Sequence, residues 1–190
     1  MAETQLSTAT SLWIDLAVIV MCWVVVMVIE ARRLRYGHRS IPEQALLLMM
    51  LIGYLAVYVF LTFLYRKPLP ERQTLIKPFW SYAHAFSFEG GFHIEHLSTA
   101  RQILLNILVY VPPGCILPAI LYWLRHPYWV TAGLCLMLSL ITEGLQWLTR
   151  LGYCETDDLI NNTLGGLIGI LIFHLGTVLV KRWMERKSRV

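Results

Sequence analysis

The chain has 190 residues, 57% of them hydrophobic and 15% charged, with a mean hydropathy of +0.58. Soluble domains carry roughly 25% charged residues, so this composition excludes a water-soluble enzyme or binding module and indicates an integral membrane protein. The net charge of +4 comes from short basic runs beside apolar stretches, and no nucleic-acid partner is expected.

The start, MAETQLSTATSLWID, holds Glu3 and Asp15 but no Lys or Arg, so it lacks the basic head of a cleaved signal peptide, and no small-residue cleavage site follows. The first apolar run is therefore expected to stay as an anchor. Low charge over windows of membrane-spanning length predicts five helices at residues 12–29, 44–65, 102–124, 128–148 and 159–180. The expected fold is all-α, a single polytopic membrane domain over residues 1–190. Cys22, Cys115 and Cys135 lie within these spans and only Cys154 in a loop, which leaves no disulfide framework.

Orientation follows from Lys and Arg. The connection after the first span carries Arg32, Arg33, Arg35 and Arg39, and the tail before it none. Placing that connection inside puts Arg125 and the C-terminal basic residues on the same side. The count is then ten basic residues inside against six outside, namely Arg66, Lys67, Arg72, Lys77, Arg101 and Arg150. The predicted topology is N-out, C-in.

A long outer connection at residues 66–101 follows the second span. RKPLPERQTLIKPFW is broken by Pro68, Pro70 and Pro78, and the aromatics of SYAHAFSF suit a segment lying along the membrane surface. Gly90 and Gly91 form a joint, and His84, Glu89, His93, Glu95 and His96 come to the same side. The third span contains NILVYVPPGCILP, where Pro112, Pro113 and Pro118 predict a kink or a short unwound section near the midplane.

Unusual chemistry concentrates in EGLQWLTRLGYCETDDLINNTLGGLIG, between Glu143 and Gly169. Ionisable and amide groups at membrane depth cost on the order of several kcal/mol unless paired or hydrated. Glu143, Gln146 and Arg150 share one helix face, and Asp158, Asn162, Gly165 and Gly169 share one on the next, so the two stripes are expected to meet near the outer surface. Asn106, one turn into the third span, lies at similar depth. The GxxxG spacing of Gly165 and Gly169 predicts close helix packing.

From about Leu75 to Ile170 the sequence resembles the VanZ-like family of bacterial membrane proteins. The resemblance is carried by LIKPFW, by NILVYVPPG, and by E-x-x-Q followed by a short loop and DDLINNTLGGLIG. It implies a polar set of Asn106, Glu143, Gln146, Arg150, Asp157, Asp158, Asn162 and Gly165. It also implies a multi-pass protein of the bacterial cytoplasmic membrane, linked to resistance against teicoplanin-type lipoglycopeptides. Thr74, where the family is expected to have Asn, and the inserted Lys77 depart from its pattern.

Three readings of the polar cluster stand side by side. In the first, its members satisfy one another, and Asp157 or Asp158 caps the last span. In the second, Arg66, Lys67, Arg72 and Lys77, with Arg101 and Arg150, hold phosphates while Phe79, Trp80, Tyr82 and Phe86 lie against lipid chains. Partners would then be membrane lipids, a lipid-linked cell-wall precursor, or a lipoglycopeptide. In the third, Glu143 with Asp157 or Asp158 supplies general acid/base chemistry to a hydrolase or transferase acting on a phospholipid or polyprenyl phosphate. His93, Glu95 and His96 are the candidate metal ligands, but HIEH lacks the H-E-x-x-H spacing of metalloproteases, and neither a metal nor another cofactor is expected. The absence of an inverted repeat argues against a transporter.

Overall fold

In a computed structural model, the backbone of residues 2–87 and 94–188 and the side chains of residues 16–87 and 96–188 are described. The fold is all-α apart from two three-residue strands. In chain order it comprises α1 (Ala2–Tyr36), α2 (Ile41–Val59) continued by a π-helical turn (Phe60–Leu64), β1 (Gln73–Leu75), α3 (Trp80–Ala85), α4 (Ile94–Ile120), α5 (Pro127–Thr149), β2 (Tyr153–Glu155) and α6 (Thr156–Lys187). Four stretches among the described residues are long and apolar enough to cross a membrane: Ile41–Leu64, His96–Ile120, Pro127–Thr149 and Thr156–Lys187. They overlap the last four predicted spans, with α4 beginning and ending earlier than expected, and residues 12–29 fall within α1.

The pairing of α4 with α6 organises the bundle, and glycine makes it close. A Cβ at Gly165 would sit 2.0 Å from the Ile107 carbonyl oxygen, one at Gly169 2.3 Å from that of Val111, and one at Gly114 2.3 Å from that of Gly166. Small residues thus let backbone meet backbone, the contact the GxxxG spacing predicted. The apolar core lies in two clusters along this axis. One gathers Val26, Leu47, Ile116 and Phe173, and the other is built on Tyr58, Tyr110 and Cys135.

No unwound section appears at the prolines, for α4 is helical without interruption from Ile94 to Ile120. Pro113 has no N–H for the carbonyl of Val109, four residues back. The Tyr54 hydroxyl of α2 donates to that carbonyl instead. A freed carbonyl at membrane depth needs such a partner, and supplying one from a neighbouring helix lets α4 stay helical.

A buried ion cluster ties α1 to the far end of α4. Arg39 Nη2 donates to Glu30 Oε2 at 2.8 Å, with both side chains 1% exposed. Arg39 Nη1 donates to the Ala119 carbonyl, and the guanidinium lies 4.4 Å from the centre of the Tyr122 ring. Cation, carboxylate and helix-end carbonyl thereby pair away from water, with Arg39 Nε left without a partner.

Candidate functional site

At the other end of the bundle, the connection between α5 and α6 is laced to the chain that follows α2. β1 and β2 pair in parallel, with Thr74 opposite Cys154 and Leu75 opposite Glu155. Leu69 N donates to the Arg150 carbonyl at 2.7 Å, and Thr156 Oγ1 to that of Ile76 at 3.2 Å. The prolines beside β1 gave no sign of a strand, and three residues are too few for a readable alternation.

Asp157 accounts for how LIKPFW and the DD pair belong together. It is 1% exposed and accepts hydrogen bonds from the backbone N–H of Phe79 at 2.5 Å and of Ser81 at 2.7 Å. Phe79 holds a left-handed conformation at φ 61°, unusual for a residue with a side chain, and directly precedes α3. The carboxylate therefore caps α3 from α6, and Tyr82 of α3 donates to the amide oxygen of Asn161. Capping was expected of Asp157 or Asp158, but on α6; the helix capped is α3.

The stripes also meet differently from the expectation. Asn106 Nδ2 of α4 donates to Asp158 Oδ1 at 2.5 Å, so the cross-helix pair joins α4 to α6. On the α5 side, Asn162 Nδ2 donates to Ser139 Oγ at 3.0 Å, and Glu143 Oε2 accepts the Glu155 N–H at 3.0 Å. Gln146 is buried, and its carbonyl accepts the N–H of Leu151 at 3.1 Å. Arg150 leaves the stripe: it ends α5 in a left-handed conformation, is exposed, and reaches the Pro70 carbonyl at 3.2 Å.

Beside the Asn106–Asp158 pair opens a cleft of about 610 Å³. Arg66, Lys67 and Arg101 bring positive charge to it, Glu155 and Asp158 carboxyl groups, and Gln102 and Asn106 amides. Gln102 hydrogen-bonds both Asp158 and Glu155. Burial pushes the Glu155 carboxyl from its ordinary 4.5 to about 7, assisted by the neighbouring charges of Asp158 and Asp157 and opposed by the Gln102 bond. Gly152 forms part of the wall because a Cβ there would lie 2.8 Å from Arg66 Nη1 and 3.2 Å from Gln146 Cδ. Arg66 crosses this gap to the Leu151 carbonyl at 3.4 Å.

Several predicted residues lie elsewhere. Arg72 stacks on Trp147, 4.9 Å from the ring centre, and Lys77 is exposed away from the cleft lining. His96 is buried, with Nδ1 2.6 Å from the His84 carbonyl oxygen, which ties α4 to α3. His93 and the side chain of Glu95 lie outside the described residues; among those described, no group of three or more metal-ligating side chains is present. Glu155, Gln102 and Gly152 were missed. The spacing of Gln102 and Asn106, i and i+4 on one face of α4, was the available signal for Gln102.

The chain matches the family described as VanZ/LLP1 over residues 16–179, which is most of its length. The chain belongs to that family. It is thus a VanZ-like membrane protein, linked through its family to glycopeptide resistance. The VanZ/LLP1 match extends well beyond Leu75–Ile170 and takes in the Glu30–Arg39 cluster as well as the cleft. No curated protein and no solved structure matches the chain.

Proposed function

We propose that the cleft is an outer-leaflet recognition site for a phosphate-bearing amphiphile of the cell envelope, such as a lipid-linked cell-wall precursor, and that its occupation lessens the action of lipoglycopeptide antibiotics. The observation that carries this reading is the grouping of Arg66, Lys67 and Arg101 at one cleft, none of them in an ion pair among the described residues. Arginine binds phosphate through a planar fork of donors and lysine as a point charge, and three such groups suit a phosphorylated head. Apolar surface on Leu69 and Leu105 lines the same cleft and offers contact to the adjoining chain. The larger number of Lys and Arg residues at the opposite end of the bundle supports an outward-facing cleft.

Native mass spectrometry of gently solubilised protein tests the reading. Wild type should carry a distinct envelope lipid that is lost in Arg66→Gln and Arg101→Gln. Identical bulk lipids on all three forms would remove it.

A hydrolase or transferase acting on such a lipid is the second reading. It is favoured by Glu155, whose carboxyl near pKa 7 is poised for proton transfer within the same cleft. Turnover of phospholipid or polyprenyl phosphate by purified protein, abolished in Glu155→Gln, is the result expected of an enzyme.

A further inference from the structure

Charges of both signs share the cleft, and among the described residues they form no ion pair with one another. Arg66 and Lys67 come from the segment after α2 and Arg101 from α4, while Glu155 belongs to β2 and Asp158 to α6. Among the described residues, the ion pairs are made by Glu30 and Glu43, far along the chain from this site. The cleft carboxyls are engaged by neutral amides, Asp158 by Asn106 and Gln102, and Glu155 by Gln102. Arg66 extends across Gly152 to a backbone carbonyl. The carboxyls and Arg66 are thus held by neutral partners, and a cleft of about 610 Å³ is lined by these groups together with Lys67 and Arg101. Such a volume is typical of a small-molecule site.

We infer that the cleft takes a phosphate-linked head group bearing an ammonium, the cations holding its phosphate while Asp158 and Glu155, oriented by Asn106 and Gln102, receive the ammonium. This rests on the recognition reading above and adds a second requirement to it. A primary ammonium presents N–H donors to two carboxylates, whereas a trimethylated one presents none. A ligand with phosphate alone would satisfy the cations and leave the carboxylates facing an anion.

Binding of short-chain lipids to the full-length protein, measured by titration in native mass spectrometry, tests this. The probes are phosphatidylethanolamine, phosphatidylcholine and phosphatidic acid. Phosphatidylethanolamine should bind about tenfold or more tightly than phosphatidylcholine. Glu155→Gln/Asp158→Asn should remove that preference without weakening phosphatidic acid, and Arg66→Gln/Arg101→Gln should weaken all three. Equal binding of the ethanolamine and choline lipids, or a preference that survives in the carboxyl variant, overturns the ammonium assignment. If phosphatidic acid alone then responds to the arginine changes, the phosphate site stands without it. No lipid responding to the arginine changes would overturn both. Should the double carboxyl variant lose its thermal transition, Glu155→Gln alone replaces it, since that side chain is only half-buried and sits on a short edge strand.

Discussion

Gly152 shows how much one missing side chain decides. Its Cα lies beneath Arg66 and Gln146, and a methyl group would meet the guanidinium at 2.8 Å. Gly152→Ala should therefore move Arg66 off the Leu151 carbonyl and weaken binding of phosphate-bearing lipids several-fold while changing thermal stability little. The paired lipid titration and melting curve check this. Glu155 governs the response to pH. Below pH 4.5 the carboxyl is protonated in folded and unfolded chains alike. Between 4.5 and about 7 only the folded chain keeps the proton, so folding loses stability as pH rises, and above 7 the loss is complete. Glu155→Gln should flatten this window and stabilise the protein at pH 8 by on the order of 1 kcal/mol, a figure discounted for partial exposure. Melting temperatures of both forms from pH 4.5 to 8 provide the measurement. Residues at this scale were partly legible. Asn106 and Asp158 stood out as polar groups at membrane depth, whereas Glu155 and Gln102 are ordinary in sequence and gain their meaning only from the fold.

Helix positions were readable because charge is scarce across a span, and periodicity marked which faces of α4, α5 and α6 are polar. Spacing defines a face without naming the face it meets. The α5 stripe was expected to join that of α6, yet Asp158 pairs with Asn106 of α4, and Glu143 turns to the backbone of Glu155. The glycine positions decide this, since they bring α6 onto the carbonyls of Ile107 and Val111. The prolines of α4 were read from local chemistry, and the tertiary partner that keeps the helix regular could not be. Tyr54→Phe should leave the Val109 carbonyl without its donor and destabilise the protein by about 1–3 kcal/mol. Thermal unfolding in detergent tests the cost, with Tyr65→Phe, exposed and remote from Val109, as the control.

Across the whole molecule, polar chemistry gathers at both ends of the bundle and differs in kind. The Glu30–Arg33–Arg39 cluster pairs its charges, while the cleft keeps Arg66, Lys67 and Arg101 apart from Glu155 and Asp158. The basic-residue bias predicts that the cleft end faces outward. Cysteine introduced in a cysteine-free background at Lys77 should react with an impermeant maleimide on intact cells, and one at Ser188 only after permeabilisation. Both positions are exposed, so labelling at Ser188 but not at Lys77 on intact cells would reverse the topology.

The parallel strands also set a timetable. Gln73–Leu75 leaves the ribosome about eighty residues before its partner Tyr153–Glu155. Synthesis at roughly 5–20 residues per second makes that a wait of some 4 to 16 s. In the interval two further crossings, α4 and α5, must be threaded, and the segment bearing Arg66 and Lys67 has neither its strand partner nor the Leu151 carbonyl to rest on. The cleft is therefore among the last parts of the protein to come into being, and a chain stalled before β2 would hold most of its apolar helices and no site.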